Sequence, residues 1–128
     1  MKKKILVIDD DTRHDKMMSF LLLSKGFDVQ YALSGTEAVA KLKTGELKEP
    51  DLILLDLMMP NMDGFQTYAA MQDIPSVKGK PVIMLTAVSD KEKLDKAIAM
   101  GAKDYIVKPF SPSDLMERLN KVLSGGAN

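Results

Sequence analysis

A chain of 128 residues with 45% hydrophobic residues, no Cys, and 18 basic against 18 acidic side chains has the length of one domain that buries about two-thirds of its unfolded surface. Zero formal net charge argues against a sequence-wide electrostatic grip on nucleic acid or anionic membrane. Without Cys there is no disulfide framework, thiol nucleophile or zinc ribbon, which fits a reducing cytoplasm.

Lys2-Lys3-Lys4, the one basic run, leads directly into the apolar segment Ile5 to Ile8 and reads as the solvated start of a first strand. No secretory leader is expected ahead of Ile5. Thr12 with Asp15 predicts the capped start of a helix that stops at Gly26, and its near-apolar stretch Met17 to Leu23 is too short to cross a bilayer. Val29 to Leu33 is the second strand; Ser34 with Glu37 forms a capping box for a helix ending at Gly45. Leu52 to Leu55 is the third strand and Gly64 begins the third helix, with Asp63-Gly64 after Asn61 read as a turn that lacks the twelve-residue calcium pattern. Val82 to Leu85 is the fourth strand, Ser89 with Glu92 a second capping box, and Gly101 its stop. Tyr105 to Val107 is the fifth strand, and Ser111-Pro112 opens a last helix through Leu123. Residues 1–124 form the domain and 125–128 a tail.

Strands apolar on both faces, alternating with helices, predict a single-domain doubly wound α/β fold, a five-stranded parallel sheet with five helices in which strand 1 is central. All strand C-termini of such a sheet share one edge, where loops form the site. Strand 1 delivers Asp9, Asp10 and Asp11 there, strand 3 delivers Asp56, strand 4 delivers Thr86 and strand 5 delivers Lys108 with Pro109. Singly, these are helix caps, turn closers and surface charges. Together, converging carboxylates would repel unless a cation offsets them. Carboxylates without His or Cys suit a hard, oxygen-seeking ion, and a few of them completed by waters and a carbonyl suit Mg2+ better than a calcium cage. Lys108 offers a point charge to an anionic ligand and Thr86 a hydroxyl donor. A carboxylate nucleophile beside these groups is equipment for phosphoryl transfer to an aspartate, and Asp56, isolated at the end of an apolar strand, is the candidate.

The segments ILVIDDD (5–11), DLILLDLMMPNMDG (51–64), PVIMLTA (81–87) and GAKDYIVKPF (101–110) resemble the CheY-like receiver domains of two-component response regulators over essentially the whole chain. The resemblance implies a flavodoxin-like strand order 2-1-3-4-5. It also implies a switch that takes a phosphoryl group from a histidine kinase or phosphotransfer protein onto Asp56, the phosphoacceptor. By the same resemblance Asp9 and Asp10 serve Mg2+ together with Asp56 and the backbone carbonyl of Met58. Thr86 and Lys108 match the family's phosphate-sensing pair, Tyr105 its rotating aromatic, and Lys108-Pro109 its cis peptide. Asp11 is an extra acid assigned only helix capping and local charge.

Catalysis is expected to be limited to the domain's own phosphorylation and dephosphorylation. The expected output is a protein partner met by helix 4, strand 5 and helix 5, with no direct nucleic-acid or membrane contact and a monomer or weak phosphorylation-dependent dimer. For such a dimer Asp104, Asp114 and Arg118 are compatible charges, but Leu94 stands where a basic residue is expected. A magnesium-dependent phosphatase would instead place its nucleophile on the first strand and add a cap domain, for which there is no length. A flavin carrier would have to bring phosphate against Asp9-Asp10-Asp11, which repel it. His14, the only histidine, reads as a surface residue rather than a phosphohistidine. Met17, Met71, Met84, Met100 and Met116 read as core gap-fillers.

Overall fold

The computed structural model describes residues 2–87 and 91–124, with the backbone but not the side chains of residues 12–15. Strands and helices alternate as β1 (Lys4–Ile8), α1 (Thr12–Ser24), β2 (Asp28–Ala32), α2 (Gly35–Thr44), β3 (Leu52–Asp56), α3 (Gly64–Met71), β4 (Val82–Thr86), α4 (Lys91–Met100), β5 (Asp104–Val107) and α5 (Pro112–Leu123). The strands are parallel in the order β2-β1-β3-β4-β5, the flavodoxin-like arrangement of the CheY fold. β1 is an interior strand, as its apolar run requires, but the middle place belongs to β3. Every residue of β3 and β4 is buried, so apolarity alone could not rank the interior strands, whereas β2 and β5 at the edges carry half-buried residues.

Alternation along each strand sorts the core into two layers. Leu6, Ile8, Ile53, Leu55 and Met84 face α2, α3 and α4, packing with Leu42, Tyr68, Met71 and Ala97. Ile5, Val7, Leu52, Leu54, Ile83 and Leu85 face α1 and α5, against Met18, Leu22, Leu115 and Leu119. Met18 and Leu22, one turn apart, take the inward positions of α1, and this corrects the reading of Met17, whose side faces solvent at 55% exposure. Met71 and Met84 are fully buried, and Met100 and Met116 pack partly buried against the two layers.

Local chemistry sets the helix ends. The Ser34 hydroxyl accepts the Glu37 N–H at 3.0 Å, but the Glu37 carboxylate reaches Leu33 N at 3.4 Å and the Lys41 ammonium at 3.2 Å, so only half of the expected box forms. Ser111 and Asp114 form both halves, with Pro112 opening α5. Asp63 and Gln66 form a further reciprocal box that caps α3 at the expected start, Gly64; the Asp-x-x-Gln spacing carries that signal within the stretch whose Asp63-Gly64 reads as a turn. Gly45 closes α2 in the left-handed region at φ 80°. Thr12 is the first residue of α1, while the Thr12 and Asp15 side chains of the expected cap, Ser89, the His14 side chain and the tail 125–128 lie outside the described residues. Among the described residues no helix is long and apolar enough to cross a membrane.

Candidate functional site

The C-terminal ends of β1, β3 and β5 bring Asp9, Asp10, Asp56 and Lys108 together. Asp9 is fully buried and Asp56 is 6% exposed, while Asp10 is open to solvent. The Lys108 ammonium donates to Asp9 Oδ2 at 2.9 Å and stands 3.6 Å from Asp56 Oδ2. Asp9 Oδ1 accepts the Asp11 N–H at 2.9 Å, and Asp56 Oδ1 accepts the Met58 N–H at 3.2 Å. One carboxylate oxygen from each of Asp9, Asp10 and Asp56 falls within 4.8 Å of the others. Three acids converging beside Lys108 carry more negative charge than one ammonium offsets. Oxygen donors in that number and spacing suit a hard divalent cation.

The electrostatics agree with that reading. Burial pushes the Asp56 carboxyl up to about 7, against the opposing pull of the Lys108 ammonium, and the neighbouring Asp9 adds to the rise. Near neutral pH Asp56 is therefore divided between its acid and its carboxylate, and any cation bound there shifts it to the carboxylate.

Backbone bonds hold these side chains in place. Leu57 N donates to Leu85 O and Gly64 N to Leu57 O, both at 2.8 Å, so the chain leaving β3 is fixed against β4 and α3. A Cβ on Gly64 would meet Asp56 O and Leu57 Cα at 2.7 Å; only glycine lets α3 start this close to the strand end that carries Asp56. Lys108 N donates to Thr86 O at 2.6 Å, and the Lys108–Pro109 peptide is cis.

Thr86 is fully buried at the end of β4. Its strand pairs Met84 with Tyr105 and Thr86 with Val107, so Thr86 and Tyr105 lie on the same sheet face as diagonal neighbours. Tyr105 is half-buried against the layer that includes Met84. Met58 is half-exposed, with the Lys93 ammonium 3.8 Å from its Sδ, a contact between segments far apart in sequence that carried no sequence signal. Of the charges considered for a dimer, Arg118 pairs with Asp104 of its own chain, Asp114 is engaged in capping α5, and Leu94 is buried on α4.

Residues 5–120 match the response regulator receiver domain family. Among curated relatives, a probable transcriptional regulator, ycf27, of Porphyridium aerugineum is 43% identical over 122 residues, covering 95% of this chain and 48% of that protein. The DNA-binding response regulator MtrA of Mycobacterium tuberculosis is 39% identical over 119 residues, covering 93% and 50%. This chain thus spans about half the length of these relatives. Among solved structures, the chemotaxis protein CheY4 of Vibrio cholerae superposes with a TM-score of 0.86 at 34% identity, covering 95% of this chain and 99% of that one.

Proposed function

This chain belongs to the response regulator receiver domain family of two-component signalling, a family of phosphorylation-dependent signalling domains rather than classical enzymes, and on that premise we propose how its site works. Asp56 accepts a phosphoryl group from the phosphohistidine of a histidine kinase or phosphotransfer protein, in a reaction that requires Mg2+. The observation that carries this reading is the convergence of the Asp9, Asp10 and Asp56 oxygens within 4.8 Å beside Lys108.

An Asp56 carboxylate oxygen attacks phosphorus, the phosphorus–nitrogen bond breaks, and the imidazole leaves with the electron pair. Asp9, Asp10, Asp56 and the Met58 main-chain carbonyl would hold Mg2+, which when bound would supply positive charge to offset the phosphoryl oxygens. Lys108, already poised between Asp9 and Asp56, turns its ammonium to the new dianion. The same groups support hydrolysis of the acyl phosphate, so the domain limits its own lifetime in the modified state. Because Asp10 is the exposed member of the acid cluster, Asp10→Ala should leave the fold intact and weaken Mg2+ binding about tenfold or more. An amide-shift titration with Mg2+ checks this, and an unchanged midpoint would move the metal role elsewhere.

The phosphoryl group also gives the Thr86 hydroxyl a charged acceptor, and drawing that side chain toward it opens room for the Tyr105 ring, its diagonal neighbour. A differential of a few kcal/mol between two packings suffices to change which is populated. The output is a changed face of α4, β5 and α5 that binds a protein partner; the neutral 1–124 unit contacts neither nucleic acid nor membrane directly and works in the cytoplasm. DNA binding, stated for MtrA, is not assigned to this chain. The test compares amide shifts with and without beryllofluoride and Mg2+. Wild type should show large changes across residues 90–123, and Thr86→Ala, although still modified, should show less than about half of them. Equal changes in the two proteins would route the signal through other residues.

A further inference from the structure

The geometry points to Arg118 as a positioning residue that holds Tyr105 outward and opposes its turn, an inference that rests on the switch reading above. Arg118 lies on α5 and engages two consecutive residues of β5. Its Nη1 donates to the Asp104 carboxylate and to the Tyr105 carbonyl, the latter at 3.0 Å, and its guanidinium carbon stands 5.9 Å from the centre of the Tyr105 ring. Asp104 Oδ1 also accepts the Tyr105 N–H at 2.8 Å. Both main-chain polar groups of Tyr105 are thus taken by side chains, on a strand that has β4 as its one neighbour in the sheet. A rigid, multiply donating guanidinium suits this role, since one head group meets a carboxylate, a carbonyl and a ring face together.

Burial gives the direction of the effect. Met84 and Thr86, the direct and diagonal neighbours of Tyr105 on β4, are fully buried, whereas the ring itself is half-buried and has over it a cation that is 41% exposed. This is an outer position of the ring. A ring that turned inward, into space vacated by Thr86, would leave the guanidinium behind. Arg118 therefore stabilises the outer position and sets how much driving force the phosphoryl group must supply. The bonds to Asp104 and to the Tyr105 carbonyl do not depend on the ring angle; they fix the guanidinium where only the outer ring can meet it.

The test uses the full chain labelled with 3-fluorotyrosine, with the Tyr105 resonance assigned by Tyr105→Phe, titrated with beryllofluoride at saturating Mg2+. In Arg118→Ala the Tyr105 resonance should be displaced before any mimic is added, part-way along the line that wild type follows on titration. Half-saturation should fall by about two- to fivefold, as expected for loss of a partly solvated cation–ring contact. Arg118→Lys, which keeps the charge but not the planar fork, should fall between the two and serves alone if the alanine variant does not fold. A purely structural role would lower the melting temperature without moving the resonance along that line. Unchanged resonance and half-saturation in the folded variants, or a rise in half-saturation, would overturn the assignment. If wild type does not move on titration, the switch reading fails instead, and displacement of the mimic-free Arg118 variants still decides whether Arg118 positions the ring.

Discussion

Asp56→Asn should gain no phosphoryl group from acetyl phosphate and Mg2+ under conditions in which the wild-type chain gains one. The amide preserves the volume of the side chain and keeps an oxygen to accept the Met58 N–H, so the cradle survives. What is lost is the nucleophile, because an amide oxygen carries neither the charge nor the basicity needed to open the donor's phosphorus bond. The expected change is complete loss, within a background of a few per cent (~) from slower modification elsewhere, since no uniform binding term is being trimmed. Intact-mass measurement reads it, and the wild-type adduct should be removed by hydroxylamine, as an acyl phosphate is. Equal incorporation in the two proteins would place the acceptor elsewhere.

The second large effect is on stability against pH in metal-free buffer. The Asp56 carboxyl titrates at about 7 in the folded chain, against about 3.9 in an unfolded one. Between those values the folded chain holds a proton that the unfolded chain has released, so stability falls as pH rises. The contribution is fully present below about pH 4, is lost progressively above it, and is gone once pH has passed through 7. Asn stands in for the protonated acid at every pH. We therefore expect Asp56→Asn to exceed wild type in unfolding free energy, by a margin that widens by roughly 2 kcal/mol between pH 5 and pH 8.5. Urea unfolding with a chelator present measures it. A margin that stays constant across that range would mean that Asp56 is ionised throughout, and added Mg2+ should narrow the margin by favouring the carboxylate in the folded state.

Much of this was legible in the sequence because a parallel sheet turns position into proximity. Once Ile5 to Ile8, Leu52 to Leu55 and Tyr105 to Val107 read as strands, Asp9, Asp56 and Lys108 had to share an edge, and the structure brings them to within bonding distance. Helix ends were legible where a single residue carries the signal, as with Gly45 and Ser111. Reciprocal contacts were less so. Glu37 had a choice between the Ser34 N–H and two other partners, and took the others. Gly64 reads as a helix start from the sequence, but its steric role depends on how closely α3 approaches β3, a distance that no local pattern encodes. The preference of Lys108 for Asp9 over Asp56, 2.9 Å against 3.6 Å, was equally hidden. In the sequence Arg118 and Asp104 are charges compatible with a second copy, and their pairing within the chain appears only when α5 is laid beside β5.

Lys108 follows β5, which is joined to the sheet by β4 alone, whereas Asp9 follows, and Asp56 ends, a strand bonded on both sides. Edge elements open to solvent at lower free energy than the strands between them. Here each such opening would withdraw an ammonium from two buried carboxylates and leave them without it, so breathing of β5 carries an electrostatic penalty beyond its hydrogen bonds. The lightly anchored strand is moored to the centre of the molecule by charge. Adding a phosphoryl group raises the negative charge that holds the mooring, so the exchange lifetimes of the β5 amides become a gauge of the chemical state of Asp56.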